Sequence, residues 1–457
     1  MDSALEVFES ARRSQLLGSK HCHWVERTQY YCDLLAPLAH PTRIILSHSD
    51  PVEFLAGFMA ACIHECPVFL CNPIWSIQEW QQVMNLVQPH FVWGAVPVPV
   101  RDSTPATSNP PEKGWIMIPT GGSSGRIKFA IHTWATLTAS VRGFQDFFKV
   151  VSINSCCVLP LYHVSGLMQF LRSLLTDGQF LVMPFTDLLS GQSTQEEWDV
   201  FLENDSIGPQ NFFLSLVPTQ LQRLLQQPTR TSWLRHFLTI LLGGAPAWPA
   251  LLEQARQNQL NLAPTYGMTE TAAQVATLRP HEFLQGETST GCLLPHVKIR
   301  IVDLAGKDLE ANQAGQVMLQ ATSLFQGYYP DRSQSSAYMT DDLGYLDTRG
   351  YLYVVGRSSR KIISGGENIF PEEVEAALYA TGLVQEVYVM GLKDDRWGEV
   401  VAAYYIPIHS RVTPLDLKES LDSRLSRFKH PKRWVAVREL PRNAQGKLDW
   451  VRLIEKG

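Results

Sequence analysis

The sequence is poor in paired cysteines, in net charge of either sign and in long apolar runs, and each shortage closes off a class of protein. Its eight cysteines (Cys22, Cys32, Cys62, Cys66, Cys71, Cys156, Cys157 and Cys292) include no CxxC pair, and the last 165 residues contain none. That scatter argues against a disulfide framework and fits reduced thiols in a cytoplasmic protein. His21, Cys22 and His23 lack a second cluster of matching spacing, so they do not read as a metal site. A net charge of −5 and a pI near 6.2 leave no basic footprint for nucleic acid or an anionic membrane. Any handling of phosphate must then come from a local site. The first 20 residues hold no cleavable apolar core, so no secretory signal is expected. The apolar run from Phe54 to Ile63 stops at His64 and Glu65, too short for membrane insertion. Neither an internal repeat nor a low-complexity tract is visible.

What is present is ordinary globular composition, 45% hydrophobic and 18% charged, over 457 residues. That length implies about two to four domains or subdomains. Phe54, Leu55, Phe58 and Met59 recur at helical spacing before the strand-like run from Pro67 to Cys71. A further helix-like stretch leads to a short strand at Phe91 to Trp93. Trp115 to Ile118 reads as another strand, after an exposed Pro/Ser/Thr-rich loop at residues 101–113. Thr219 is placed to cap a helix with an apolar face of Leu221, Leu224 and Leu225, and Phe237 to Leu242 reads as a buried strand. Such alternation predicts an α/β fold of layered, mainly parallel sheets with helices. After Gly356-Arg357 the texture changes to a basic stretch, Ser358 to Lys361, and then a compact unit. There Pro371 to Tyr379 reads as a helix, with proline in its first turn, Glu372 and Glu373 at its positive end and Gly382 beyond it. The expected organisation is a large N-terminal domain, residues 1–356, and a small, mobile α+β C-terminal domain, residues 357–457.

Residues 119–128 read PTGGSSGRIK. A strand running into Thr120, Gly121, Gly122, Ser123, Ser124 and Gly125, with Lys128 trailing, offers flexible amides, hydroxyls and a cation to a polyphosphate. It is not a Walker A loop, because Gly125 is followed by Arg126 and the lysine comes later. Taken alone, a solvated turn explains it equally.

Further motifs follow in order. They are Tyr266-Gly267-Met268-Thr269-Glu270, Thr340-Asp341-Asp342-Leu343-Gly344, Gly356-Arg357, the run from Gly365-Gly366-Glu367 to Pro371-Glu372-Glu373, and Pro441-Arg442-Asn443-Ala444-Gln445-Gly446-Lys447. With the loop, this series resembles the adenylate-forming superfamily of acyl- and aryl-CoA ligases, luciferases and peptide-synthetase adenylation domains. The resemblance implies attack of a carboxylate on the α-phosphate of ATP, then transfer of the acyl group to coenzyme A. It assigns Thr120 to Lys128 to the ATP phosphates, with Thr269 as a phosphate contact and Glu270 as the Mg²⁺ ligand. It also assigns Gly243, Gly244, Ala245, Tyr266 and Gly267 to the nucleotide pocket, Asp342 to the ribose hydroxyls, and Arg357 to the ribose or the hinge. Lys447 becomes the catalytic lysine that bridges carboxylate and α-phosphate oxygens. Gly365 and Gly366 become the face that admits the pantetheine arm after the C-terminal domain rotates about Ser359. Two positions depart from the pattern: Asp341 stands where glycine is usual, and Ser359 where Asp or Lys is frequent.

Residues 159–172, LPLYHVSGLMQFLR, bear on the acid. His163, Ser165, Gly166 and Arg172 in this spacing resemble the 2-succinylbenzoate–CoA ligases of menaquinone and phylloquinone synthesis. The implied partner is a small aromatic carboxylate, its second carboxylate near Arg172 and His163 acting as gate or contact. The competing readings are an arginine paired to a surface acid and a packed histidine. Within enzymes, other acyl- or aryl-CoA ligases and carrier-loading adenylation enzymes remain as alternatives. A non-catalytic nucleotide-binding scaffold is the alternative of a different class.

Overall fold

The computed structural model describes residues 2–38, 42–99, 111–121, 127–190, 209–332, 335–364, 367–394, 396–422, 424–442 and 452–453. Ile44–Ser47, Val68–Leu70, Phe212–Leu216 and Thr239–Leu242 are strands without an exposed position. Strands buried on both faces belong in parallel sheets covered by helices. These form the centres of two seven-stranded sheets. In the first, Phe91–Gly94, Ile44–Ser47, Val68–Leu70 and Trp115–Gly121 run parallel. In the second, parallel pairing runs from Phe180–Val182 through Asn154–Cys157, Phe212–Leu216 and Thr239–Leu242 to Leu262–Met268.

Both sheets turn antiparallel at one margin. The first continues through the hairpin of Trp115–Gly121 and Ile127–Thr133 to Gly327–Tyr329. The second continues from Leu262–Met268 to Ala273–Thr277 and Cys292–Leu293. The glycine-rich loop and the Tyr-Gly-Met-Thr-Glu motif both lie on these margins.

Between the sheets runs a helical layer. One core cluster joins Ile44, Leu46, Val68 and Leu70 of the first sheet to helices Pro51–Ile63 and Val164–Leu175, and to Cys157 and Phe180 of the second. Helix Pro51–Ile63 begins where Asp50 accepts the amides of Val52 and Glu53, with proline in the first turn. Phe54 through Ala61 are all buried, so the apolar run noted in the sequence is a helix covered on every side. Among the described residues no helix is long and apolar enough to cross a membrane.

A four-stranded antiparallel sheet follows: Val297–Val302, Gly315–Ala321, Tyr338–Leu346 and Leu352–Arg357. After the turn Ser358–Arg360, five further strands and helices Pro371–Tyr379 and Pro414–Leu421 enclose their own core, including Val374, Leu378, Val389, Val401, Leu417 and Leu421. Across the two parts, the rings of Trp248 and Tyr379 stack with centroids 4.2 Å apart.

Two sequence expectations shift. The helix of Leu221, Leu224 and Leu225 starts at Pro218 with Val217 at its cap position, so Thr219 lies inside the first turn instead of capping it. Proline has no amide hydrogen to lose at a helix start. The strand expected from Phe237 begins at Thr239, because the amides of His236 and Phe237 close a turn on Trp233 and Leu234.

Candidate active site

At the first margin, Thr120 pairs with Lys128 and Gly121 with Ile127 across the hairpin. The pairing brings Thr120 and the exposed Lys128 together at the mouth of the glycine-rich loop. Gly122, Ser123, Ser124 and Gly125 lie outside the described residues. Farther along the same strand, His132 is fully buried, its Nδ1 3.0 Å from the Thr136 hydroxyl and its Nε2 2.7 Å from the Thr269 carbonyl. A carbonyl only accepts, so Nε2 carries the proton and Nδ1 accepts from Thr136. Burial pushes the His132 pKa down to about 4, which keeps the ring neutral.

The second margin builds the acidic end. The register of the antiparallel pair shifts between Tyr266 and Gly267. A Cβ at Gly267 would stand 2.1 Å from the Ala273 carbonyl, so glycine is required for this approach. The chain then makes the turn Thr269–Thr271, and three carbonyls of the turn and its cap residue Ala272 are tied from outside. His132 donates to Thr269, the Phe325 amide to Glu270 at 2.8 Å, and the Ser140 hydroxyl to Ala272 at 2.6 Å.

Glu270 itself is only 8% exposed, and the Tyr328 hydroxyl donates to its Oε1 at 2.6 Å. Among the described residues no basic side chain pairs with it. A buried carboxylate without a cation is costly, and a hard divalent ion relieves that cost. No group of three or more His, Cys, Asp or Glu is assembled among the described residues. The donor set therefore fits Mg²⁺ held by one protein carboxylate together with nucleotide phosphates and water.

Asp342, 5% exposed, accepts from the Tyr266 hydroxyl at 2.7 Å and from Arg357 Nε at 2.9 Å. The structure thus joins three residues assigned separately to the nucleotide. Burial and the neighbouring Asp342 charge push the Tyr266 pKa upward, so its hydroxyl stays protonated. Beside them, the two departures from the family pattern meet: the Ser359 amide donates to Asp341 Oδ1 at 3.1 Å, and its hydroxyl to Oδ2. The Gly243-Gly244 turn follows strand Thr239–Leu242. Gly244 has φ +81°, a Cβ at Gly243 would stand 2.5 Å from the Thr265 hydroxyl, and Ala245 is exposed.

Among the residues that the resemblance assigns to the acid, His163 occupies the cap position of helix Val164–Leu175, half-buried with its ring 4.6 Å from that of Tyr162. Ser165 is exposed. Gly166 is buried, with no room for a Cβ beside the Pro160 carbonyl. Arg172 is 3% exposed. One of its nitrogens reaches the Gln274 side chain, its guanidinium lies 4.0 Å from the centre of the Phe144 ring, and its Nε has no partner. This corrects the reading of Arg172 as paired to a surface acid: among the described residues it has no carboxylate. Burial lowers its pKa below the ordinary arginine value. Gln274 stands opposite Gly267, so Arg172 reaches the strand paired with the Tyr-Gly-Met-Thr-Glu segment.

Lys447, Gly365 and Gly366 lie outside the described residues. Four residues that the sequence reading passed over, His132, Tyr328, Gln274 and Phe144, support the site. None sits in a motif; an aromatic or polar residue on a strand or helix face carries no signal of its own.

Two parallel-centred sheets around a helical layer, with a buried unpaired carboxylate and a Tyr-capped Asp/Arg pair beside one antiparallel margin, suit a nucleotide-activating enzyme. Residues 78–329 match the AMP-binding enzyme family and residues 373–447 the AMP-binding enzyme C-terminal domain. The chain belongs to the AMP-binding enzyme family. It is 32% identical over 337 residues to a 2-succinylbenzoate–CoA ligase of Enterococcus faecalis, covering 72% of this chain and 67% of the relative. A relative of the same name from Lactococcus lactis is 31% identical over 371 residues, covering 80% and 76%. The fold matches that of o-succinylbenzoate CoA synthetase from Bacillus subtilis in complex with its acyl-adenylate intermediate. There the TM-score is 0.82 at 24% identity, covering 99% of this chain and 98% of the other.

Proposed function

We propose that this chain is an ATP-dependent acid–thiol ligase of the AMP-forming type, acting in the cytoplasm on 2-succinylbenzoate in menaquinone or phylloquinone biosynthesis. Support comes from the relatives of that name and from one observation above all: Arg172 is buried, and among the described residues it has no anionic partner. An uncompensated guanidinium on the helix capped by His163 is complementary to a substrate with a second carboxylate.

In this reading, Thr120, Lys128 and the intervening loop bind the β- and γ-phosphates. Asp342, already oriented by Tyr266 and Arg357, accepts the ribose hydroxyls. Glu270 holds Mg²⁺, which when bound offsets phosphate charge. Arg172 anchors the distal carboxylate so that the other one faces the α-phosphorus. A carboxylate oxygen attacks that phosphorus, the bond to pyrophosphate breaks, and Lys447 binds the oxygens that gain charge. Rotation about Ser359 brings the Gly365-Gly366 face to the adenylate. The coenzyme A thiolate then attacks the acyl carbon and AMP leaves. His163 contacts or gates the acid. The domain boundary at residues 356–357 follows from the same reading, because the turn Ser358–Arg360 joins two separate cores.

The test is coenzyme A-dependent AMP release with 2-succinylbenzoate beside benzoate and a fatty acid. Selective activity with 2-succinylbenzoate is the expected result. Activity with another acid alone removes the pathway, and ATP–pyrophosphate exchange without a coenzyme A product points to carrier loading. Lys447→Ala is expected to lower the exchange by about 10²–10³-fold, while thioester formation from preformed adenylate survives.

A further inference from the structure

Tyr328 stands where three parts of the site converge. Its strand, Gly327–Tyr329, pairs antiparallel with the strand of Lys128, placing Tyr328 opposite Ala130. Lys128 Nζ lies 5.3 Å from the centre of the Tyr328 ring. The hydroxyl donates to Glu270 Oε1 at 2.6 Å and lies 3.3 Å from the Tyr338 hydroxyl. Phe325 packs edge-on against both tyrosine rings, at 4.9 and 5.1 Å, while its amide binds the Glu270 carbonyl. One short segment therefore holds both the backbone and the carboxylate of Glu270.

The chemistry of that carboxylate gives this contact a role. A glutamate side chain has free rotation at its end, and either oxygen, or both, can face a cation. Mg²⁺ demands near-ideal octahedral geometry and is usually met by single carboxylate oxygens. A hydroxyl donated to Oε1 occupies one oxygen, and among the described residues nothing is bonded to Oε2. A phenol hydroxyl can donate to a carboxylate oxygen that only accepts, which sets the direction of this bond. Hydrogen-bond partners behind a ligand commonly change metal affinity by about 10–100-fold.

We propose that Tyr328 is a positioning residue that holds Glu270 as a one-oxygen ligand of the nucleotide-bound divalent cation, fixed to the strand pair that carries Lys128. The proposal rests on the assignment of Glu270 to the metal, and it adds a residue that no motif of the chain contains.

Mn²⁺ serves as the probe, titrated into the full chain loaded with a non-hydrolysable ATP analogue, with free Mn²⁺ followed by electron paramagnetic resonance. Tyr328→Phe keeps the ring and removes only the hydroxyl. It is expected to weaken Mn²⁺ binding about tenfold or more, with a modest fall in the metal-free melting temperature because the buried carboxylate loses its donor. Tyr338→Phe, which leaves the Glu270 contact in place, is expected to bind Mn²⁺ within about twofold of the wild type. Unchanged affinity in Tyr328→Phe, with weakened binding in Glu270→Gln, overturns the positioning role alone. Equal losses in the two tyrosine variants would assign the effect to packing of the aromatic cluster and also overturn it. Unchanged affinity in Glu270→Gln removes the metal assignment and the proposal with it.

Discussion

Glu270 and Asp342 are both buried carboxylates tied to the segment Tyr266 to Glu270, yet their surroundings are opposite. Asp342 accepts from Arg357 and Tyr266, so its charge is met by the protein itself. Among the described residues Glu270 is met by the Tyr328 hydroxyl alone. Arg172 repeats the Glu270 case with the sign reversed: buried, held by an amide and an aromatic face, and facing no carboxylate among the described residues. Paired charges position a binding surface that exists before any ligand arrives. Unpaired buried charges instead destabilise the empty protein and are compensated when a ligand of opposite charge enters.

The strongest way to break this contrast is to neutralise Glu270. Glu270→Gln is expected to lower ATP–pyrophosphate exchange by about 10²–10³-fold at ordinary Mg²⁺ concentrations, with partial recovery at high Mg²⁺. A variant that exchanges at the wild-type rate would remove Glu270 from the metal site. Next comes Arg172→Met, predicted to raise KM for 2-succinylbenzoate about 10²-fold. The same change should leave the melting temperature of the empty protein equal or higher, because an unpaired buried charge is gone. A clear loss of stability would mean that Arg172 is already compensated.

Asp342→Asn probes the paired case, and its signs are reversed. It is expected to destabilise the empty protein by about 1–2 kcal/mol, read by denaturant unfolding, and to raise KM for ATP by about tenfold. The last effect, on stability alone and confined to acid pH, concerns His132, which links the two margins. Its folded pKa of about 4 lies below the ordinary 6.5, so the unfolded chain binds the proton first as pH falls. Its contribution is complete above about pH 6.5 and is lost progressively toward pH 4. His132→Gln, which retains a donor for the Thr269 carbonyl, should flatten the stability profile in that window by up to about 3 kcal/mol. His296, also pushed down to about 4 by burial, keeps some slope in the variant.

The legible part of this site is the part written in contiguous residues. Tyr266 to Glu270, Thr340 to Gly344 and Gly243-Gly244 are local because each must make a turn, a close approach or a tight cluster of donors. Gly267 illustrates the reason: its place in the motif is set by a backbone carbonyl 2.1 Å from where a Cβ would stand. The supporting residues were not legible, since Tyr328 lies 58 residues from Glu270 and Gln274 lies 102 from Arg172. Nothing local distinguishes them from other strand residues. Asp341 and Ser359 looked like two separate departures from a pattern, and only the fold brings them together as one hydrogen-bonded pair.

Composition, helix caps and the alternation of short buried strands with helices were enough for the α/β architecture, because secondary structure and its covering follow from local periodicity. The order of the motifs was enough for the class of chemistry. Which charges are compensated was a matter for the tertiary structure alone. Compensation depends on what lies within a few ångströms of a carboxylate or guanidinium, and in this chain those neighbours come from distant strands and helices.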